Sequence, residues 1–160
     1  ILSRKRNEHE MLEVNSPLEM KDYVGKELGI SDWVLIDQDR INRFADATDD
    51  RQWIHLDSER AAKELPTKST IAHGYLTMSL IAGLPVFKIN NTTNMINYGV
   101  NRLRFTNMVP VDSRVRLRTK LIAADVVKGH GIRLTCEQTM EVEGQSRPAL
   151  VAETLMIAYT

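Results

Sequence analysis

The clearest chemical potential in the chain lies in Asp50 and His55, five positions apart in the polar stretch TDDRQWIHLD (48–57), with Trp53 and Ile54 between them. A carboxylate and an imidazole at this spacing converge on one water if the chain curls between them, and an imidazole exchanges protons near neutral pH. The same spacing also suits two unrelated residues, so by itself it leaves both readings open. A second group, Ala72-His73-Gly74, stands at the head of the apolar run YLTMSLIAGL. If a helix begins there, its first NH groups have no intrahelical acceptor, and the absent side chain of Gly74 lets a carbonyl oxygen approach them. Close packing against Gly74 is the competing reading.

The elements that must hold these groups follow from periodicity and capping. Residues 1–15 are mostly polar and are expected to form a flexible N-terminal segment, with 16–160 a single domain. Ser16-Pro17-Leu18-Glu19 has capping-box spacing and predicts an amphipathic helix running through Leu28 to a stop at Gly29. WVLI (33–36) reads as a short strand, Asp37 as the cap of a helix lasting to Thr48, and Asp57 as the cap of one closed by Pro66. Residues 71–84 carry only Thr77 and Ser79 as small polar positions among Tyr75, Leu76, Met78, Leu80, Ile81 and Leu84, which predicts a helix buried nearly all round. It is too short to span a bilayer, so the rest of the chain must wrap it.

The second half supplies the wrapper, with strands expected at 95–106, 113–126, 131–143 and 149–159. Val115, Leu117, Thr119 and Leu121 alternate with Arg114, Arg116, Arg118 and Lys120, and Ile132, Leu134, Cys136 and Met140 alternate with Arg133, Glu137, Glu141 and Glu143. The turn VKGHGI makes these a hairpin, with the basic row facing glutamates on the wet side, and leaves His130 in solvent. The fold class is α+β: a long, curved antiparallel sheet around one buried apolar helix.

Composition narrows the function. Twenty-one Lys and Arg against 21 Asp and Glu leave no net field to gather nucleic acid or an anionic membrane. No apolar run reaches the roughly 18 residues a membrane span needs, and the opening ILSRKRNEHEML has no secretory-type apolar stretch, so a cytoplasmic location is expected. A lone cysteine, Cys136, excludes a disulfide framework and a multi-cysteine zinc site.

FADATDDRQWIHLDSERA followed by IAHGYLTMSL resembles the hydratase block of the MaoC-like dehydratases, in the branch that includes nodulation protein N. Phe44, Ala45, Thr48, Asp50, Ile54, His55, Asp57, Ala61, His73 and Gly74 match that pattern, and the likeness runs over about residues 30 to 125. It implies a hot-dog fold, a homodimer, and hydration of a trans-2-enoyl-CoA to the (R)-3-hydroxyacyl-CoA with no cofactor and no metal. By the same resemblance Asp50 and His55 hold the catalytic water, one taking its proton and the other supplying a proton to C2, while the NH of Gly74 forms the oxyanion hole for the thioester carbonyl.

The chain departs from the family pattern at Asp49, where the family has glycine, at Gln52-Trp53, where it has Asn-Pro, and at Ala82, where some members have serine. Trp53 adds bulk beside the site and is carried as a substrate-binding candidate. Asn97 and Tyr98, with Asn101, line an acyl tunnel or mark a strand edge; Arg102, with Arg104, reaches the CoA phosphates or is surface charge. His73 matches a family position with a structural role and is left out of the catalytic pair. Two other functions share the shape: a hot-dog acyl-CoA thioesterase, and a non-catalytic acyl-CoA-binding subunit.

Overall fold

The computed structural model describes residues 11–160. Strands β1 (Leu12–Val14), β2 (Glu27–Ile30) and β3 (Val34–Ile36) precede helices α1 (Gln38–Thr48), α2 (Trp53–Leu56), α3 (Ser58–Glu64) and α4 (Gly74–Gly83). Strands β4 (Phe87–Ile89), β5 (Asn94–Phe105), β6 (Ser113–Val127), β7 (Gly131–Val142) and β8 (Leu150–Tyr159) follow. The main sheet is antiparallel in the order β2-β6-β7-β8-β5, with β3 also paired to β6. β1 and β4 form a separate parallel pair.

Alternation dictates which face is dry. Val115, Leu117 and Leu121 on β6 and Leu134, Cys136 and Met140 on β7 are buried, as period-2 side-chain placement requires. Burial pushes the Cys136 thiol up to about 12, which leaves almost no nucleophilic thiolate. On the wet face Arg116 donates to Glu141 at 2.6 Å, Arg118 donates to Glu141 and to Glu27, and Arg114 stands 3.9 Å from Glu143. Burial raises the Glu141 carboxyl, but the hydrogen bonds and charge of Arg116 and Arg118 outweigh it and leave it below the usual carboxylate range. The basic row is thus a set of cross-strand partners, and His130 is exposed in the turn.

α4 lies on the dry face through Leu76 and Leu84, which join Leu117, Met140 and Leu150 in one buried cluster. A second cluster, under β1, β4 and the 3-10 turn Pro17–Tyr23, gathers Leu12, Met20, Leu121, Leu134 and Cys136. Asp37 and Asp57 cap α1 and α3 by accepting from the Arg40 and Arg60 NH groups, as their spacing predicts. Among the described residues no helix is long and apolar enough to cross a membrane.

Three expectations are corrected. The segment read as flexible to residue 15 is structured from Leu12: Leu12 and Val14 are buried and pair with Phe87 and Ile89, while residues 1–10 lie outside the described part. The helix expected to run through Leu28 is a 3-10 turn ending at Tyr23, because pairing with β6 draws Leu28 into β2. Nor is α4 buried all round within one chain. Tyr75 is 66% exposed, and Ser79, Ala82 and Gly83 are exposed with it, because only one side of the helix meets the sheet.

Gly29 marks the tightest approach behind the site. A Cβ built on it stands 2.6 Å from the Val86 carbonyl oxygen, while Gly83 has open space around it. Gly29→Ala is therefore expected to lower stability by about 1–3 kcal/mol, because backbone on both sides must shift. Gly83→Ala, adding a better helix former, should be neutral or stabilising. Urea unfolding measures both, and equal midpoints for the two variants would contradict the clash.

Candidate active site

The site is built where α1, α2 and the head of α4 meet. α1 ends at Asp49, whose left-handed backbone (φ 59°, ψ 14°) turns the chain toward α2. That conformation is the one glycine adopts at helix ends. Asp49 therefore occupies the family's glycine position and also reproduces its geometry, which asparagine and aspartate tolerate better than other residues. The Thr48 hydroxyl donates to the Phe44 carbonyl at 2.7 Å, and the Asp50 NH donates to that hydroxyl at 3.4 Å. Asp50 is exposed.

His55 is buried in the single turn of α2. Its Nδ1 lies 2.7 Å from the Ile71 carbonyl oxygen, and the Ile71 NH in turn donates to the Ile54 carbonyl at 3.1 Å. A carbonyl can only accept, so Nδ1 carries the hydrogen and Nε2 presents a lone pair. Burial holds the His55 pKa below the ordinary imidazole value. The Ile71 hydrogen bond works against this, the positive form of His73 adds to it, and Asp50 opposes it. The result is a neutral imidazole with an open acceptor beside an exposed carboxylate.

His73, buried to 2% exposure, completes the cluster. Its ring stacks on His55 at 3.8 Å between centroids and 23° between planes, with Phe44 tilted against its other surroundings at 4.9 Å. Its Nε2 lies 2.9 Å from the Asp50 carbonyl oxygen and donates to it, while Nδ1 is buried without a partner. His73 therefore fixes the Asp50 main chain over the His55 ring. Gln38 is a second support: its side chain donates to the His55 carbonyl at 2.8 Å and accepts from Thr70 at 2.6 Å. Sequence reasoning gave His73 a structural role and missed Gln38. The HG block flagged His73 by position, but nothing local flags Gln38.

One carboxylate oxygen of Asp50 and one ring nitrogen each of His55 and His73 lie within 4.8 Å of one another. Two hydrogen bonds of about 2.8 Å meeting at a tetrahedral water span about 4.6 Å, so Asp50 and His55 can share one water. The cluster suits a metal less well. Stacked rings aim their in-plane lone pairs side by side rather than at one point.

Gly74 follows His73 as the first residue of α4. Its NH lies in the unpaired first turn, and a Cβ there would stand 3.1 Å from three atoms of the Phe105 ring. Close approach and a free helix-start NH thus coexist at one residue. The remaining candidates are not drawn into the cluster. Trp53 lies under the Arg60 guanidinium at 3.9 Å, Arg102 stands 3.6 Å from Glu153 on the neighbouring strand, and Tyr98 is exposed on β5. Asn97 borders a cavity at the opposite end of α4.

Known proteins resemble the chain in sequence and in fold. A family model described as "MaoC like domain" matches residues 19–142. The chain is 44% identical over 134 residues to the 3-hydroxyacyl-thioester dehydratase Z of Mycobacterium tuberculosis, covering 82% of this chain and 88% of that protein. It is 45% identical over 139 residues to Nodulation protein N of Rhizobium leguminosarum bv. viciae, covering 84% and 85%. Among solved structures, the (R)-hydratase of A. caviae involved in PHA biosynthesis superposes with a TM-score of 0.65 at 23% identity, over 83% of this chain and 94% of that one. The likeness to that structure is one of fold, the hot-dog arrangement of long sheet and central helix.

The left-handed turn gives a stability prediction. Asp49→Gly should raise stability by up to about 1 kcal/mol, because glycine adopts this φ without strain, and Asp49→Val should lower it by about 1–3 kcal/mol. Thermal unfolding of the two variants checks this; the reverse order would mean the Asp49 side chain contributes more than the turn costs.

Proposed function

The chain belongs to the MaoC-like dehydratase family, and from that premise we propose that it adds water reversibly to trans-2-enoyl-CoA thioesters, giving the (R)-3-hydroxyacyl-CoA. The observation that carries this reading is the buried, neutral His55, its Nδ1–H fixed on Ile71, within water-bridging distance of Asp50 and beside the start of α4. The dehydratase named among the relatives acts on 3-hydroxyacyl thioesters, the same chemistry seen from the product side.

In the proposed mechanism a water lies between the Asp50 carboxylate and His55 Nε2. As its oxygen attacks C3 of the enoyl group, one O–H bond breaks and the proton passes to Nε2. The electron pair moves through C2 to the thioester oxygen, where the Gly74 NH meets the developing charge. The imidazolium then returns its proton to C2, so that the net change is addition of one water. Asp50 orients the water and stabilises the transient cation. His55 is assigned as the base because a neutral ring with its hydrogen on Nδ1 has no proton to give from Nε2. Water and proton transfer suffice, and no cofactor or metal enters. Delivery from a single loop puts water and proton on one face of the double bond, and the (R) configuration is carried over from the (R)-hydratase whose fold the chain shares.

The active form proposed here is a homodimer in the cytoplasm. β5 is an edge strand of the sheet, paired on one side to β8. Met95, Ile96, Tyr98 and Val100 are exposed along it, and Phe105 and Tyr75 continue the apolar surface toward Gly74. A long apolar edge invites strand pairing, and pairing it with its twin covers this edge.

Asp50→Asn and His55→Ala should each lower kcat on a short trans-2-enoyl-CoA by at least about 10², with the double variant scarcely worse than the more damaging single one, because the two groups share one water. The wild-type kcat/KM should be flat near neutrality and fall only below about pH 6.5, since burial keeps His55 unprotonated to lower pH than free imidazole. Full activity in a folded Asp50→Asn, or product oxidised by an (S)-specific 3-hydroxyacyl-CoA dehydrogenase, counts against the assignment. Light scattering at low micromolar concentration should give about twice the 18.2 kDa chain mass; an active monomer refutes the dimer.

A further inference from the structure

The dry face of the sheet is not apolar throughout. Thr119 on β6 stands directly across from Gln138 on β7, Thr154 on β8 lies diagonally from Gln138, opposite Cys136, and all three are buried. The Thr119 hydroxyl donates to Gln138 Oε1 at 2.6 Å, and Gln138 Nε2 donates to the Thr154 hydroxyl at 3.1 Å. This seam lies between the two apolar clusters: Leu117, Met140 and Ala152 belong to one, and Leu121, Cys136 and Ala158 to the other. Polar groups in a core are costly unless paired, and three on adjacent strands call for an explanation beyond packing.

A cavity of about 390 Å³ opens at the seam, beyond the last turn of α4. That volume is within the range of small-molecule sites. Its walls include Met95, Leu117 and Met156, suited to a hydrocarbon chain, while Thr119, Gln138 and Asn97 are its polar members. Thr154 takes one of the two Nε2 hydrogens of Gln138; the threonines leave the other unused. α4 runs from the head of the catalytic site to this cavity, a rise of about 13–14 Å.

We infer that the cavity receives the distal part of the acyl chain and selects chains bearing a hydrogen-bonding substituent, a hydroxyl or carbonyl group, over plain alkyl chains of the same length. The inference rests on the hydratase reading for the position of the thioester. A plain chain entering the cavity strips water from the Gln138 and Asn97 amides and replaces none of their hydrogen bonds. A chain oxygen accepts from the spare Gln138 N–H and comes within the same cavity as the Asn97 amide. Sites built to hydrogen-bond a substrate group discriminate against the analogue lacking it far more strongly than apolar pockets discriminate by size.

The experiment uses the full chain and two trans-2-enoyl-CoA esters of roughly ten carbons, long enough to run the length of α4, one plain and one with a terminal hydroxyl. Wild type should favour the hydroxylated ester by at least about 10-fold in kcat/KM, and Gln138→Leu should reduce the ratio to about 3 or less. Asn97→Leu, with light scattering confirming an unchanged mass, should reduce it in the same direction. A wild-type ratio of one or below overturns the proposal. So does an unchanged ratio in both variants, including a loss shared equally by the two esters, which would assign the amides to the thiol carrier or to the fold. The same comparison made as Kd, by calorimetry with the saturated acyl-CoA pair, needs no turnover. Absence of activity on any enoyl ester with the Kd ratio intact would count against the hydratase reading and leave the cavity's selectivity standing.

Discussion

The hydrogen bond from His55 to the Ile71 carbonyl decides more than the orientation of one ring. Ile71 and Ala72 form the approach to α4, and their remaining main-chain groups are taken by Ile54 and Val109. The His55 bond thus closes a two-point lock between α2 and the helix head, so His55 Nε2 and the Gly74 NH belong to one rigid piece. Buried carbonyls must find donors. Satisfying this one with an imidazole settles the tautomer, and enclosing that imidazole settles its charge. Gln38 and His73 extend the lock to α1 and to the Asp50 main chain.

The sheet contributes stiffness and keeps its charge to itself. Arg116 and Arg118 share Glu141, with Arg116 also over the Trp33 ring at 4.5 Å. Exposed pairs of this kind add only tenths of a kcal/mol each. Their larger effect is to occupy cations that would otherwise attract anions indiscriminately on the convex side.

Much of this was legible in the chain. The alternation at 113–126 and 131–143 fixed both long strands and their wet and dry faces, and Asp37 and Asp57 marked two helix starts through their caps. Asp50, His55 and Gly74 were visible as residue types, and the block they stand in pointed to a common site. Elsewhere tertiary contact overruled local pattern. Glu19 reaches back to the Asn15 NH although Ser16 makes no side-chain cap bond, and Leu28 answers to β6. The apolarity of α4 suggested burial on all sides, but a single sheet covers one side only. The stacking of His73 on His55 joins residues 18 positions apart through a fold-dependent contact, and no local signal encodes it.

The parallel pair of β1 and β4 has a kinetic meaning. Lys88 reaches Glu13 across a separation of 75 residues, so everything from the 3-10 turn to the end of α4 is one long excursion with its ends clipped together. β6, β7 and β8 follow one another in antiparallel neighbours joined by short connections, and such local pairings close early because little chain entropy is lost. The clip closes against a far larger loss. The order of assembly is then scaffold first and catalytic excursion last, so the part of the molecule that performs chemistry is also the part whose completion waits on the most distant contact.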